Sequence, residues 1–412
     1  MDKFYDIIIA GGGTAGCAAA YCAGKAGFKT LLVEKKIHLG GSITSALVIP
    51  CMNSGQKQIN TVFYNALTNE LKKLGGQFTY CSNQGWFNPE LTKIALDNLM
   101  ADANVDILFG TQISDLNIKN NKIENVKILS EPIETRYVID ATGNCEICEL
   151  ANCEFLDDKR TQPVSLRFIM SNVDLKTFEN WILKLDSNRD VTSSVVSSNG
   201  TIHLSTAYTW DTDKKWALSP LFDEAVNKGI LKDTDRNYFQ IFTVAGMPDA
   251  VAFNCPRIIE KLDYSTALYK ARQAILRLSK FCKIYLKGFE NAYISNIADE
   301  LGVRVSRRIK GKYIYSVNDL KNGKTFENPV LISDYPIDIH SNKKDSSTLE
   351  KTGYYQLPVE SLMTENIDNL FVIGKCISAD FEAQAALRIQ PNCFAMGEGL
   401  VKYLKSNDYF KK

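Results

Sequence analysis

The stretch DIIIAGGGTAGCAAA, from Asp6 to Ala20, constrains the fold more than any other part of the chain. An apolar run ahead of the glycines reads as a buried parallel strand, Thr14 to Lys25 as an Ala-rich helix, and FKTLLVE, ending at Glu34, as the next strand. Together they form one βαβ unit of about 30 residues, the context in which a G-x-G-x-x-G spacing carries meaning. Gly11, Gly13 and Gly16 then supply the tight turn, the close approach of backbone to a pyrophosphate, and the close packing of helix on strand. The helix start adds unpaired N–H groups and the positive end of a dipole. Glu34 follows about 20 residues on, where a carboxylate accepts hydrogen bonds from ribose hydroxyls. This much suits NAD and FAD equally.

The chain has 412 residues, 45% hydrophobic and 23% charged, which bounds it as a globular protein with a large core and two domains. A formal net charge of +1 leaves no global field to steer the protein to nucleic acid or anionic membranes, so neither is expected as a partner. No apolar run reaches about 18 residues, and the first residues lead into a strand without a basic and then apolar leader. We therefore expect neither a membrane span nor an export leader. Eleven cysteines scattered through apolar stretches fit a reducing, cytoplasmic setting better than a disulfide framework.

Further along, PELTKIALDNLMAD (89–102) starts with Pro and Glu and has helical spacing, and residues 105–128 alternate as strands around an Asn-rich turn. TRYVIDATGN closes another strand on glycine. Between about 160 and 300 the βα rhythm gives way to alternating strands and a long helix expected over 266–286. The fold expected is α/β: a Rossmann-like dinucleotide-binding domain that is discontinuous (1–160 and 356–412), with an inserted α+β substrate domain over 161–355.

GGGTAG with Glu34, LGGS at 39–42, IDATGN, QPVSLRFIMSNVDL, LGVRVSRRIKGKY, YPIDIH and NLFVIGKCIS followed by ALRIQPNCFAMGEG occur in an order that resembles the FAD-dependent oxidoreductases of the glutathione-reductase-like flavoprotein superfamily. The resemblance runs over nearly the whole chain. It implies extended FAD with Gly11, Gly13, Thr14, Ala15 and Gly16 at the pyrophosphate, Glu34 and Lys35 at the adenosine ribose, and Gly41 and Ser42 along the ribityl chain. It also implies Ile113 beside the adenine, Ala141, Thr142 and Gly143 along the nucleotide, and Gly374, Pro391 and Asn392 near the ribityl and flavin end. Asn144 and Lys375 stand where such proteins usually have Asp and Arg.

RIQPNCFAMGEGLVKYL is expected to start a helix at Pro391, pointing uncapped N–H groups where negative charge develops on a reduced flavin. Gly397 and Gly399 inside it signal close packing against a strand or the cofactor. In DYPIDIHS, period-two geometry puts Asp338 and His340 on one face, so that the acid can orient a histidine base. His340 is the first choice of the chain's 3 histidines, and His38 and His203 are given no catalytic role. Arg307 or Arg388 is expected to clamp an acidic substrate group or support the pyrophosphate, with Tyr335 and Tyr355 as weaker pocket candidates. Cys145 and Cys148 form a CxxC that opens a rival reading as a flavin-linked thiol/disulfide reductase; one such pair without companion histidines does not make a metal site, and none is expected.

The function expected is hydride transfer between FAD and a small organic substrate. No second glycine motif for NAD(P) follows, so the electron acceptor or donor, whose identity the sequence leaves open along with the oligomeric state, enters the substrate pocket or is oxygen, a quinone or a redox protein. A flavin monooxygenase and a non-catalytic electron-transfer flavoprotein subunit are the alternatives.

Overall fold

FYDIIIA forms the strand Phe4–Ala10 (β1), with Ile7, Ile8 and Ile9 all fully buried. Cover on both faces is the environment of a central parallel strand. A computed structural model describes residues 2–55, 57–198, 200–209, 216–340, 347–350 and 352–407. The helix Thr14–Lys25 (α1) follows β1 directly, and Thr30–Glu34 (β2) returns to pair with it in parallel, Ile7 opposite Thr30 and Ala10 opposite Val33.

The described residues form two large sheets. In the first, Asp106–Phe109 lies beside β2, β2 beside β1, and β1 beside Glu131–Asp140, all parallel. The short strand Leu370–Val372, far along the chain, adds in parallel to the end of Glu131–Asp140, with Val372 opposite Asp140. The meander of Ile113–Lys119 and Lys122–Ile128 completes the sheet antiparallel. Asn120 and Asn121 take φ values of 49° and 61° at its turn, the left-handed conformation asparagine tolerates best among residues with a side chain.

Alternation along β1 separates two cores. Ile7 and Ile9 face α1 and the larger core, while Ile8 and Ala10 face a smaller one that contains Cys145 and Cys148. The second sheet is antiparallel and has six strands, drawn from residues between Ser193 and Ile297 together with Phe168–Ser171.

The helix read from sequence over 89–102 is observed as Pro89–Asp102, with Asn88 accepting hydrogen bonds from the N–H groups of Glu90 and Leu91. The long helix runs from Tyr264 to Tyr285, capped by Asp263. The C-terminal helix is Gln390–Ser406, so Pro391 stands at its second position rather than its first. Gly397 lets this helix lie against α1: a Cβ there would meet the Ala15 carbonyl at 2.6 Å. A Cβ on Gly399 would meet the Val330 carbonyl at 2.4 Å. Both glycines serve packing of protein on protein.

Candidate active site

Two cavities share Gly13, Gly41, Ala141, Thr142 and Glu300 on their walls and so form one long cleft. The narrower arm, about 120 Å³, runs past Gly11, Glu34, Lys35, Gln112 and Ile113. The wider arm, about 430 Å³, opens beyond Thr14, Ala15 and Ser42 toward Gly143 and Gly374. It ends between the two sheets at Arg167, Tyr238, Arg304, Asp338, His340 and Arg388.

The glycines divide by geometry. Gly11 has φ of 100°, and a Cβ there would strike the Ala141 carbonyl at 2.6 Å. A Cβ on Gly16 would sit 1.9 Å from the Gly11 carbonyl, so Gly16 is buried in the contact of helix with strand and does not reach the cleft. Only Gly13 faces open space, with Gly41 Cα at 4.0 Å the nearest atom to its missing Cβ. It is the N-cap of α1 and provides no side-chain cap, leaving first-turn N–H groups at the cleft.

Glu34 is buried and already accepts from the N–H of Gly12 at 2.6 Å and of Lys36 at 2.8 Å. A carboxylate has about four lone-pair sites, so acceptor capacity remains for a ribose. At the far end the C-terminal helix also starts without a side-chain cap. Its N-terminal residues at the cavity are Ile389, Gln390 and Cys393, whereas Pro391 and Asn392 do not line it, with Asn392 Nδ2 tied to the Ala386 carbonyl. A glycine cradle, a buried ribose acceptor and uncapped helix starts along one continuous cleft fit a dinucleotide such as FAD.

Lys375, half-buried at the wide arm, donates from Nζ to the Val303 carbonyl at 2.8 Å, and its partial withdrawal from water lowers its pKa.

Ile337–His340 is a strand paired with Ser347–Glu350, and Asp338 and His340 both face the cavity, as period two requires. His340 Nε2 lies 3.5 Å from Asp338 Oδ2, and Arg388 Nη2 donates to the same oxygen at 3.2 Å and to the Asp338 carbonyl at 2.9 Å. Burial, reinforced by the charge of Arg304, lowers the His340 pKa to about 3. Burial would raise the Asp338 carboxyl, but the hydrogen bond from His340 and the charges of Arg388 and Arg304 outweigh it and hold the acid well below its usual range. The pair is thus a neutral imidazole beside a carboxylate at neutral pH.

The arginine run separates in space. Arg304 lines the cavity; Arg308 is buried against Asp158 at 2.9 Å; Arg307 turns outward and pairs with Glu149 at 2.5 Å. The expectation for Arg307 as a clamp is therefore corrected: its partner is a surface carboxylate, and Arg304 takes the inward place. Of the tyrosines, Tyr335 lines the cavity, while Tyr355 lies behind and donates to the Tyr335 carbonyl at 3.0 Å.

Sequence reasoning missed Arg167, Arg257 and Tyr238. Arg257 stacks on the Tyr238 ring at 3.9 Å and donates to His340. The available signal was Arg167 between Leu166 and Phe168, both fully buried: a charge set in an apolar strand needs a reason to be there.

Cys145 and Cys148 lie in the smaller core, not at the cleft. Cys145 Sγ donates to the carbonyls of Arg307 at 3.6 Å and Cys376 at 3.7 Å. Its thiol is pushed far up by the neighbouring Cys376 and by burial, and that of Cys148 by Cys153 and by burial. Nothing in their surroundings supports a dithiol mechanism. Among the described residues, no helix is long and apolar enough to cross a membrane.

The model of the family described as FAD dependent oxidoreductase matches residues 6–400. Thiamine thiazole synthase of Pyrococcus horikoshii is 27% identical over 153 residues, 34% of this chain and 57% of that protein. Digeranylgeranylglycerophospholipid reductase of Methanoculleus marisnigri is 24% identical over 195 residues, covering 42% and 48%. The matches thus span about half the length of these relatives. A triple mutant of the flavin-dependent brominase Bmp2 superposes with a TM-score of 0.53 at 11% identity, over 98% of this chain and 80% of that one, a likeness of fold.

Proposed function

The chain belongs to the FAD-dependent oxidoreductase family, and on that premise we propose that it moves a hydride between FAD and a small organic substrate bound at the wide arm of the cleft. The observation that carries this reading is continuity: the glycine turn and the Asp338–His340 pair open into one cleft through shared walls at Gly13, Gly41, Ala141 and Thr142. We read residues 1–160 and 356–412 as the unit that holds the cofactor and 161–355 as the cap that completes the substrate end.

FAD, when bound, supplies the acceptor or donor of a hydride. Gly13, Thr14 and Ala15 would hold the pyrophosphate with backbone N–H groups beside the turn at Gly11, whose own N–H is spent on the Val33 carbonyl, Glu34 and Lys35 would hold the adenosine end, and Gly41, Ser42 and Gly374 the middle of the cofactor. In the oxidative direction a substrate C–H bond gives up hydrogen with its electron pair, and an adjacent O–H or N–H gives its proton to His340. The neutral ring has one lone pair for this, at Nδ1, and Asp338 holds Nε2–H in place. Arg257 must release Nδ1 as the proton arrives. Arg388 fixes the carboxylate of Asp338, and so the ring that Asp338 orients. The reductive direction runs the same transfers backward.

Purified protein examined under anaerobic conditions tests this. Flavin released on denaturation should be FAD, and bleaching should follow addition of a member of a small-metabolite panel. Folded protein that is colourless and takes up no added FAD would overturn the reading.

A further inference from the structure

We infer that the substrate is a small carboxylic acid bound as its anion, its carboxylate received by Arg167 and Arg304 at the end of the cavity farthest from the glycine turn. This rests on the reading of the cleft given above. Arg167 donates from Nη1 to the carbonyls of Leu47 and Ile49, at 3.3 and 3.0 Å, and Arg304 from Nη1 to the carbonyl of Pro163 at 2.5 Å and from Nη1 and Nη2 to Ser165 Oγ at 3.3 and 3.4 Å. These bonds hold each guanidinium in place. Among the described residues neither has a carboxylate partner, although both line the cavity.

Among the described residues of this arm the charges do not balance. The acidic side chains described on the wide arm are Asp338 and Glu300; Glu300 is paired with Lys36, and Asp338 with Arg388. Lys375, half-buried on the same wall, adds another cation. Burial lowers the pKa of Arg167 and Arg257 to about 10, and Arg304 is driven down by burial and by its fellow arginines. A guanidinium withdrawn from water without a counter-charge is costly, and arginine does not discharge near neutral pH. An incoming anion relieves this cost.

The phosphates of FAD would not fill the role, because the cradle at Gly13 lies where the two arms meet, away from this end of the cavity. The walls nearby are Tyr238, Phe242, Tyr335 and Ile389, which suit an organic skeleton better than a bare inorganic ion. An anion here would also offset the charge of Arg304 at His340. The ring, depressed by burial and by Arg304, would become a stronger base once substrate is seated, so binding would itself prepare proton transfer.

Calorimetric titration of the protein as purified, with FAD content measured separately, tests the inference. Acetate, lactate, succinate and benzoate are compared with the matching amides and with inorganic phosphate. At least one carboxylate should bind, its amide about tenfold or more weaker. Arg167→Met and Arg304→Met should each weaken carboxylate binding about tenfold to a hundredfold, with unchanged FAD content. Arg167→Lys, which keeps the charge and loses the planar fork, should retain part of it. An amide or phosphate binding as tightly as every carboxylate, or no carboxylate binding at all, overturns the inference. The comparison in the unmodified protein stands even if a variant fails to fold. FAD content separates the two readings: protein that holds FAD but ignores carboxylates loses only this inference, while protein that takes up no FAD loses the function proposed above.

Discussion

Arg257 donates from Nη2 to Nδ1 of His340 across 3.1 Å. A guanidinium has no acceptor to offer, so Nδ1 is the accepting atom and the hydrogen of the neutral ring lies on Nε2, toward Asp338. Both ring nitrogens are thereby engaged, one by a cation and one by an acid. The imidazole is positioned by its neighbours and kept neutral by burial and by Arg304, and its tautomer is fixed before any substrate arrives.

Replacing His340 with Gln should leave FAD content unchanged and slow substrate-driven flavin reduction about a hundredfold or more, the usual contribution of a general base. Anaerobic stopped-flow reduction measures it. A rate equal to that of the unmodified protein would remove His340 from proton transfer.

Stability should depend on pH through the buried histidines. Burial places the His340 pKa at about 3 and that of His203, which stacks on Phe78, at about 4, both below the unfolded value of about 6.5. The unfolded chain therefore binds more protons between about pH 3 and 6.5, and stability falls as pH drops through that window. Each histidine adds a slope of at most about 1.4 kcal/mol per pH unit. Urea unfolding at pH 4.5, 5.5 and 6.5 should give a shallower slope for His340→Gln than for the unmodified protein; identical slopes would show that the ring titrates normally in the fold.

Gly13→Ala and Gly16→Ala should fail in different ways. A methyl at Gly13 enters open cleft, so the protein should fold normally and bind FAD at least about tenfold more weakly. A methyl at Gly16 would collide with the Gly11 carbonyl and should cost about 1–3 kcal/mol of stability or more. Thermal melts with and without added FAD distinguish them, and equal FAD affinity for Gly13→Ala and the parent protein would refute the assignment of Gly13.

Arg307→Ala should change stability by less than about 1 kcal/mol and leave flavin reduction unaltered, because its partner Glu149 is an exposed carboxylate. A large loss of reduction rate would return Arg307 to the site.

Thiol reagents under native conditions should label exposed Cys81 quickly and leave buried Cys145 and Cys148 intact. Cys145→Ala should retain flavin reduction. Rapid modification of Cys145 coupled to loss of activity would revive the dithiol mechanism.

Regular spacing made part of this protein legible from its residues. The glycines at 11, 13 and 16 identified a strand, turn and helix because each position has its own steric demand, and Glu34 followed at the end of the next strand. Asp338 and His340 were placed on one face because a strand alternates with period two. The run from Arg304 to Arg308 had no such rule: it is largely irregular, and only packing against Asp158, Glu149 and the cavity decided which guanidinium turned where. Arg167 and Arg257 reach the same site from positions far apart in the chain, brought there by the antiparallel sheet and the strand Arg257–Ile258 that pairs with Val164–Ser165. Local sequence thus determined the cofactor turn and the periodic acid–histidine pair. The concentration of positive charge opposite them was decided by tertiary structure, because long-range pairing of strands has no period in the sequence that would announce it.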